Sequence, residues 1–343
     1  MTTRQTAVSV QGDRFLINGE LTYRGRYWNG HRIEGLLMNS RMIQGIFDDS
    51  NPLTVGRWAY PDTGAWDAER NTREFIASMP AWKAHGLLAF TIGMQGGSPE
   101  GYSELQPWHN SAFRGDGSLD PAYMDRLERI MDKADELGMV VILNYFYFGQ
   151  DRRFNGETAI KQAVANATAW VIQKGYTNVV IDMVNECDYF HYTSEIMKED
   201  RVHELLELAR IVTKALNPSV PPLISTSFRG TAVPTNNAIA LSDVILIHGN
   251  SGNVYWAPEQ IDILRSRDAY RGQPIVNNED DHFDFEQEVN HMVISIGKGV
   301  SWGYFDPGAS DYNDGYQCPP VNWGISSERK RQFFAKLQEI TGG

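Results

Sequence analysis

The chain has little cysteine, no long apolar run and no cluster of basic residues, and each absence excludes a class of protein. Its 343 residues include 2 cysteines, Cys187 and Cys318, which are too few for a disulfide framework or a cysteine-type zinc site. No apolar stretch reaches the length of a membrane span. The net charge is −12 without any Lys/Arg run, which argues against nucleic acid or an anionic membrane as a partner.

The rest of the composition is typical of a globular protein with a large core. Hydrophobic residues make up 42% of the chain and charged residues 22%. The first residues do not form the apolar segment of a signal peptide, so a cytoplasmic location is predicted. A secreted protein would follow only if a leader had been removed. The sequence leaves the oligomeric state open.

Eight apolar runs predict buried strands. They are continuous rather than alternating, as in strands covered on both faces. The runs span residues 42–47, 87–92, 139–146, 178–184, 222–226, 243–248, 274–278 and 299–305.

Helical patterns fall between these runs. The clearest is 121–137, where Asp120 is a natural N-cap, Pro121 suits the first helical position and Gly138 ends the pattern. Similar patterns cover 160–174, 201–216 and the segment that ends at 85–86. Helix, glycine and strand in this order predict an α/β fold, and eight strands favour a single (β/α)8 TIM barrel over 1–343. Residues 1–40 are predicted to be an N-terminal β-hairpin segment with its turn at Asn18-Gly19.

An open, doubly wound sheet is the alternative fold. It should carry a glycine-rich turn after its first strand. Here the first apolar run leads into Asp48-Asp49-Ser50-Asn51-Pro52, which is a poor phosphate cradle. The barrel is therefore favoured.

Two of the apolar runs end in Asn-Glu, at Asn185-Glu186 and Asn278-Glu279. Barrel enzymes place catalytic groups at the carboxyl ends of their strands. Hydrolysis of a glycoside with retention needs two carboxyl groups about 5–5.5 Å apart, one protonated and one ionised. We therefore expect Glu186 and Glu279 to face each other across the mouth of the barrel. Asp280 and Asp281 are rivals for the role of Glu279, and Asp182, inside a strand, is expected to pair with a partner in the barrel.

Several polar and aromatic residues near strand ends are candidates for substrate binding. Sugars stack on flat aromatic rings, and amide or imidazole groups hydrogen-bond their hydroxyls. Trp302, at the end of the eighth run, is the predicted sugar platform. The other candidates are Asn185, His248, Tyr255, Asn144, Trp108 and His109.

No cofactor or metal is predicted. The chain contains no His-Glu-x-x-His motif, and no Gly-x-Ser-x-Gly elbow indicates a serine hydrolase. Cys187 beside Glu186 is interpreted as a small packing residue and not as a nucleophile.

These motifs resemble the large clan of retaining glycoside hydrolases built on a (β/α)8 barrel. In that clan an Asn-Glu pair after the fourth strand supplies the acid/base, and a Glu at the end of the seventh is the nucleophile, which implies these roles for Glu186 and Glu279. The segment 15–19 resembles the hairpin that precedes many such barrels. One feature departs from the pattern: the clan often places an arginine near the nucleophile from an early strand, and the second run, which leads to Gln95, has none.

The resemblance implies an O-glycoside hydrolase that acts on a carbohydrate substrate, either small oligosaccharides or glycosides. Two other functions are open. A non-catalytic sugar-binding barrel would keep the Trp residues and lose a carboxylate. A different barrel enzyme, such as an isomerase or aldolase, would need a His/Asp ligand cluster or a lysine at a strand end.

Overall fold

Short antiparallel strands precede the barrel. In the computed structural model, which describes residues 4–308 and 312–343, strands β1 (Val8–Gln11), β2 (Arg14–Ile17) and β3 (Glu20–Leu21) form one sheet, and β4 (Tyr27–Trp28) pairs with β5 (His31–Arg32). The turn between β2 and β3 has positive φ at both Asn18 (54°) and Gly19 (81°), as a type I′ hairpin requires. The predicted hairpin is confirmed.

Eight parallel strands form the barrel. They are β6 (Asn39–Arg41), β7 (Ala89–Gly93), β8 (Val140–Phe146), β9 (Val179–Val184), β10 (Leu223–Ser225), β11 (Ile245–His248), β12 (Ile275–Asp280) and β13 (Ser301–Tyr304). Their hydrogen-bonded order is β10-β9-β8-β7-β6-β13-β12-β11, so the sheet is nearly closed and β10 and β11 are its two ends. The predicted (β/α)8 TIM barrel is confirmed.

Helices alternate with these strands. They are α1 (Ala68–Ala84), α2 (Pro121–Leu137), α3 (Glu157–Gln173), α4 (Val202–Leu216), α5 (Asn236–Leu241), α6 (Trp256–Arg265), α7 (His291–Gly297) and α8 (Glu328–Thr341). Helix α2 has the predicted bounds: the Asp120 side chain accepts the N–H groups of Ala122 and Tyr123, and Gly138 ends the helix at φ 69°. No helix within the described ranges is long and apolar enough to cross a membrane.

The first barrel strand differs from its prediction. Residues 42–47 lie after the strand and include a short 3-10 helix, Ile43–Gly45, whereas the strand itself is Asn39–Arg41. All three strand residues are polar and buried, so the apolar pattern missed them. The N-terminal hairpin segment therefore ends before residue 39, and Arg41 becomes the last residue of a barrel strand.

Candidate active site

Glu186 lies immediately beyond β9, at the carboxyl end of the barrel. Its backbone has φ 49°, in the left-handed region that non-glycine residues rarely adopt. The Glu186 N–H donates to Ser227 Oγ at 3.2 Å, and the next residue, Cys187, donates its N–H to Ser227 O at 3.0 Å. These bonds hold a strained backbone in place, which is a common feature of functional sites.

Glu279 is delivered by an irregular part of β12. The register shifts from Ile247 opposite Asn277 to His248 opposite Glu279, so one extra residue, Asn278, is accommodated on β12. Such bulges re-aim side chains. The Glu279 residue is 6% exposed, its Oε1 accepts Asn250 Nδ2 at 2.6 Å, and its Oε2 lies 2.8 Å from Arg41 Nη1. A buried ion pair therefore holds the Glu279 carboxylate.

His248, at the end of β11, lies between the two glutamates. Its Nδ1 is 2.9 Å from Glu186 Oε1 and 3.5 Å from Glu279 Oε2. One carboxylate oxygen of each glutamate and a nitrogen of His248 all lie within 4.8 Å of one another. Burial lowers the pKa of His248, but the charge of Glu279 and the hydrogen bond with Glu186 outweigh it and raise this pKa above its ordinary value.

A buried polar layer supports these groups from inside the barrel. Asp182 on β9 accepts Asn144 Nδ2 at 3.2 Å and Ser227 Oγ at 3.1 Å. Burial raises the pKa of Asp182 to about 6, against the opposing effect of His248 and Arg41. The expected pairing of Asp182 within the barrel is confirmed. Asn144 is one of its partners and is itself fully buried.

The two glutamates open into one pocket of about 370 Å³. Its walls come from the loops that follow several barrel strands, and they include Tyr147, Phe148, Tyr189, Arg229 and Phe305. On one side, Tyr102 from the loop after β7 hydrogen-bonds Asp281, which follows β12. We call this space the active-site pocket.

Trp302 does not border the active-site pocket. Its side chain is fully buried among Phe285 and Phe333, and its Nε1 donates to Asp280 Oδ2 at 3.0 Å. A ring without an exposed face cannot stack on a sugar, so the predicted platform at Trp302 is corrected to a packing residue. The run 299–305 identified the strand correctly, but Trp302 is the second residue of β13 (Ser301–Tyr304) and not its last, so it does not stand at the carboxyl end of the barrel.

The other predicted binding residues are distributed over the molecule. Asn185 adjoins Glu186, and both polar atoms of its buried side chain lack a partner among the described residues. Trp108 is buried against Trp58 and donates to Gln106, and His109 borders a different pocket. Tyr255 is 83% exposed and does not line the active-site pocket. The structure therefore brings only Asn185 and His248 to the two glutamates, with Asn144 one layer below.

Arg41 and Asn250 were not predicted from the sequence, although both contact Glu279. Arg41 was missed because the first barrel strand was predicted to begin at residue 42, whereas it begins at residue 39. Asn250 follows His248 after one glycine, and the signal for it was present: it is a polar residue just beyond a predicted strand. Gly249 is needed between them, because a Cβ there would lie 2.1 Å from Asp280 Oδ2.

A second cluster lies behind Glu279. Asp280 is the last residue of β12, two residues beyond the predicted run 274–278. Its Oδ1 lies 2.6 Å from His282 Nδ1, and its Oδ2 accepts Asn277 Nδ2 and lies 2.9 Å from His291 Nδ1. Burial raises the pKa of Asp280, but the hydrogen bonds with His282 and His291 dominate and lower it to about 2.

Both clusters contain three potential metal ligands, although no metal was predicted. In the Asp280 cluster the carboxylate already receives N–H groups from Asn277 and Trp302, and its distances to the imidazoles are those of hydrogen bonds. In the Glu186–His248–Glu279 cluster, Arg41 and Asn250 already hold Glu279. In both clusters the potential ligand atoms are therefore already engaged in hydrogen bonds or ion pairs with other side chains.

Comparisons with known proteins give a consistent set of folds. No protein-family model and no curated protein sequence matches the chain. Among solved structures, a GH5-4 broad specificity endoglucanase from Clostridium acetobutylicum has a TM-score of 0.54 and 13% identity over 90% of this chain and 97% of its own. The chain has the fold of glycoside hydrolases.

Two further structures have the same fold. A beta-glucosidase from Thermotoga maritima has a TM-score of 0.53 and 12% identity, over 90% of this chain and 99% of its own. A GH5 family lichenase from Caldicellulosiruptor has a TM-score of 0.53 and 10% identity, over 89% of this chain and 93% of its own. The resemblance to glycoside hydrolases built on a (β/α)8 barrel is thus confirmed in the fold, and the low identity marks a divergent chain.

Proposed function

We propose that the protein is a retaining glycoside hydrolase that cleaves O-glycosidic bonds of small oligosaccharides or glycosides. Glu279 is the nucleophile and Glu186 the acid/base. The observation that carries the proposal is the opposed pair itself: two carboxylates from β9 and β12 open into one pocket and approach within 4.8 Å. This short separation favours retention, because inverting enzymes keep their carboxyl groups about 6.5–9.5 Å apart.

The partners of the two carboxylates suit different roles. Glu279 is paired with Arg41 and accepts a hydrogen bond from Asn250, and these contacts suit a carboxylate that attacks the anomeric carbon. Glu186 has no cationic arginine or lysine within ion-pair distance among the described residues. Its contact with His248 Nδ1 at 2.9 Å can hold one shared proton. That proton is the one the leaving oxygen needs.

The reaction then proceeds in two balanced steps. In the first, a Glu279 oxygen bonds to the anomeric carbon while the glycosidic C–O bond breaks and the leaving oxygen takes the proton of Glu186. In the second, the Glu186 carboxylate takes a proton from water, the water oxygen bonds to the anomeric carbon, and the ester to Glu279 breaks. The configuration is inverted twice and therefore retained.

The neighbours of Glu186 are assigned supporting roles. The unpartnered amide of Asn185 is free to hydrogen-bond a sugar hydroxyl. Tyr189 and Phe148 flank the acid/base side of the pocket, with ring centroids 4.5 Å apart, and give the leaving group an aromatic wall. Arg41 acts through Glu279 and is a positioning residue.

A panel of nitrophenyl glycosides with different sugars tests the proposal. Release of nitrophenol from at least one sugar by the wild-type protein, and its loss in Glu279→Gln, is the expected result. A protein that binds the glycosides without cleaving any of them would instead be a non-catalytic sugar-binding barrel.

A further inference from the structure

A second pocket of about 350 Å³ lies at the same end of the barrel and shares no lining residue with the active-site pocket. We call it the outer pocket. Its walls come from the loops after β6, β7 and β8, and the long loop after β7 separates the two spaces: residues 98–104 border the active-site pocket, and 109–115 border the outer pocket. A cavity of this size accommodates a small ligand.

The outer pocket contains a half-buried arginine without a carboxylate partner. Arg153 donates from Nε to Gln150 Oε1 at 3.2 Å and from Nη2 to Trp108 O at 2.7 Å. Both acceptors are uncharged, and Arg153 forms no ion pair within residues 4–308 and 312–343. A guanidinium has five N–H groups, so these two bonds leave donors free.

The acidic residues of the outer pocket are already engaged elsewhere. Asp48 pairs with Arg126 at 2.9 Å. Asp120 caps α2 and lies 3.3 Å from Arg114. Arg153 is then the charged residue of the lining that forms no ion pair within the described residues, although Asp49, outside the lining, acts on it from a distance.

The pKa shifts of Arg153 and its neighbours agree with the absence of an ion pair at Arg153. Burial, and then the charge of Arg152, lower the pKa of Arg153 and outweigh the opposite effect of Asp49. Arg126 is buried to a similar degree, yet hydrogen bonds and charges from Glu69 and Asp48 overcome the effect of burial and raise its pKa. Burial and the charge of Arg153 also lower the pKa of His109. The electrostatic potential in the outer pocket is therefore positive near Arg153, and a bound anion would be attracted to it.

The remaining walls indicate what else the ligand carries. Gln95 donates one amide N–H to Ser111 Oγ, and Gln150 donates one to Trp108 O, so each amide nitrogen retains a second N–H group. Phe154 and Phe113, with ring centroids 5.9 Å apart, supply an apolar side. This combination of one cation, amide donors and aromatic rings suits an acidic sugar better than a bare anion or an apolar molecule.

We propose that the outer pocket binds a small hydroxylated carboxylate of the uronic acid class, with its carboxylate on Arg153 and its hydroxyl groups near Gln95 and Gln150. The site is independent of the proposed hydrolase reaction, since neither Glu186 nor Glu279 borders it.

Titration calorimetry with D-glucuronate tests the proposal, with D-glucose and inorganic phosphate as comparison probes. We expect one site per chain for glucuronate and at least tenfold weaker binding of the two other probes. Arg153→Met should weaken glucuronate binding at least tenfold. Arg267→Met is the control, because Arg267 is an exposed arginine that does not line the outer pocket, and it should leave binding within twofold.

Two further variants separate the site from folding defects and from the active site. Ser50→Trp fills the outer pocket from its exposed rim, keeps Arg153 intact and should abolish glucuronate binding. Glu279→Gln should retain it, whether or not the protein hydrolyses glycosides. The proposal is overturned by absent glucuronate binding, by equal binding of glucose or phosphate, by unchanged binding in Ser50→Trp or in folded Arg153→Met, or by loss of binding in Glu279→Gln.

Discussion

At the scale of single residues, Arg41 distinguishes Glu279 from Glu186. The Arg41 residue is 1% exposed, and its Nη1 lies 2.8 Å from Glu279 Oε2. Burial lowers the pKa of Arg41, but Glu279 and more distant acidic groups raise it overall, so the guanidinium stays charged. A fixed positive charge in a water-poor site stabilises an anionic nucleophile more strongly than it would in water.

Arg41→Met should therefore impair catalysis and change its pH dependence. We expect kcat/KM to fall roughly 10²–10³-fold. The acidic limb of the kcat/KM profile should move to higher pH, because the variant removes the positive charge that lies 2.8 Å from the catalytic carboxylate. The check is a pH–rate profile on the best nitrophenyl glycoside. Arg329→Met removes another arginine that pairs with a buried carboxylate, Asp306, away from the pocket, and serves as the control. An unchanged profile in Arg41→Met would contradict the assigned role.

Glu186→Gln tests the acid/base role. The amide keeps the shape of the side chain but cannot protonate a leaving group. Glycosides with poor leaving groups should lose about 10²–10⁴-fold in rate, whereas activated aryl glycosides should lose far less in the bond-breaking step. The measurement is kcat/KM across leaving groups of graded basicity. Glu104→Gln, at another glutamate of the same pocket, should show no such dependence. Equal losses on all substrates would speak against Glu186 as the acid.

The sequence revealed the carboxylates more readily than their surroundings. Glu186 and Glu279 stand at the ends of apolar runs, and that position alone predicts which end of the barrel they occupy. Trp302 was predicted at a similar position, but it is the second residue of β13 and its side chain is buried in the core, because the exact start and end of a strand and the direction of its side chains depend on register. Arg41 lies in a polar strand that hydrophobicity does not reveal.

At the scale of elements, the two acidic residues of β12, Glu279 and Asp280, have different roles. Glu279 points into the active-site pocket, and Asp280 anchors the strand end to His282 and to His291 of α7. The bulge at Asn278 shifts the register, so that Asn277 and Asp280, three residues apart, hydrogen-bond each other on the same side of the strand. The predicted run, 274–278, stops two residues before the end of β12 at Asp280, because the bulge and the anchoring of Asp280 depend on contacts between distant parts of the chain.

Asp280→Asn should destabilise the fold in a pH-dependent way. Removing one partner from a buried charged network costs about 3 kcal/mol. The pKa of Asp280 is lowered from 3.8 to about 2 in the folded state. Its stabilising effect is therefore complete above about pH 5 and is lost progressively as the pH falls through 3.8 towards 2, with about 2 kcal/mol from this shift alone. Urea unfolding of the wild type and the variant at neutral pH and from pH 4 to 2 measures the difference.

The neighbouring carboxyl provides the control for that experiment. Burial raises the pKa of Asp281. The difference in unfolding free energy between the wild type and Asp281→Asn should therefore not become smaller between pH 4 and 2. A difference between the wild type and Asp280→Asn that stays constant down to pH 2 would contradict the anchoring role.

At the scale of the whole molecule, the periodic sequence pattern predicted the fold well. Eight apolar runs separated by capped helices specify the barrel, and seven of them overlap the barrel strands found in the structure. The exception is the run at 42–47. The true strand, Asn39–Arg41, consists of buried polar residues, so a search for apolar runs does not find it. Neither the separation of the two glutamates nor the outer pocket can be derived from a pattern, because both depend on how loops after different strands pack together.

The central claim is that Glu279 forms a covalent bond to the sugar, and labelling tests it most directly. A 2-deoxy-2-fluoro glycoside with a good leaving group, built on the sugar that the nitrophenyl panel selects, should form the glycosyl-enzyme quickly and release it slowly, because electron withdrawal at C2 slows both steps and the leaving group rescues only the first. Peptide mapping should find one sugar per chain, attached to Glu279. Attachment to Asp280 or Asp281, or the absence of any label together with a product of inverted configuration, would contradict the account.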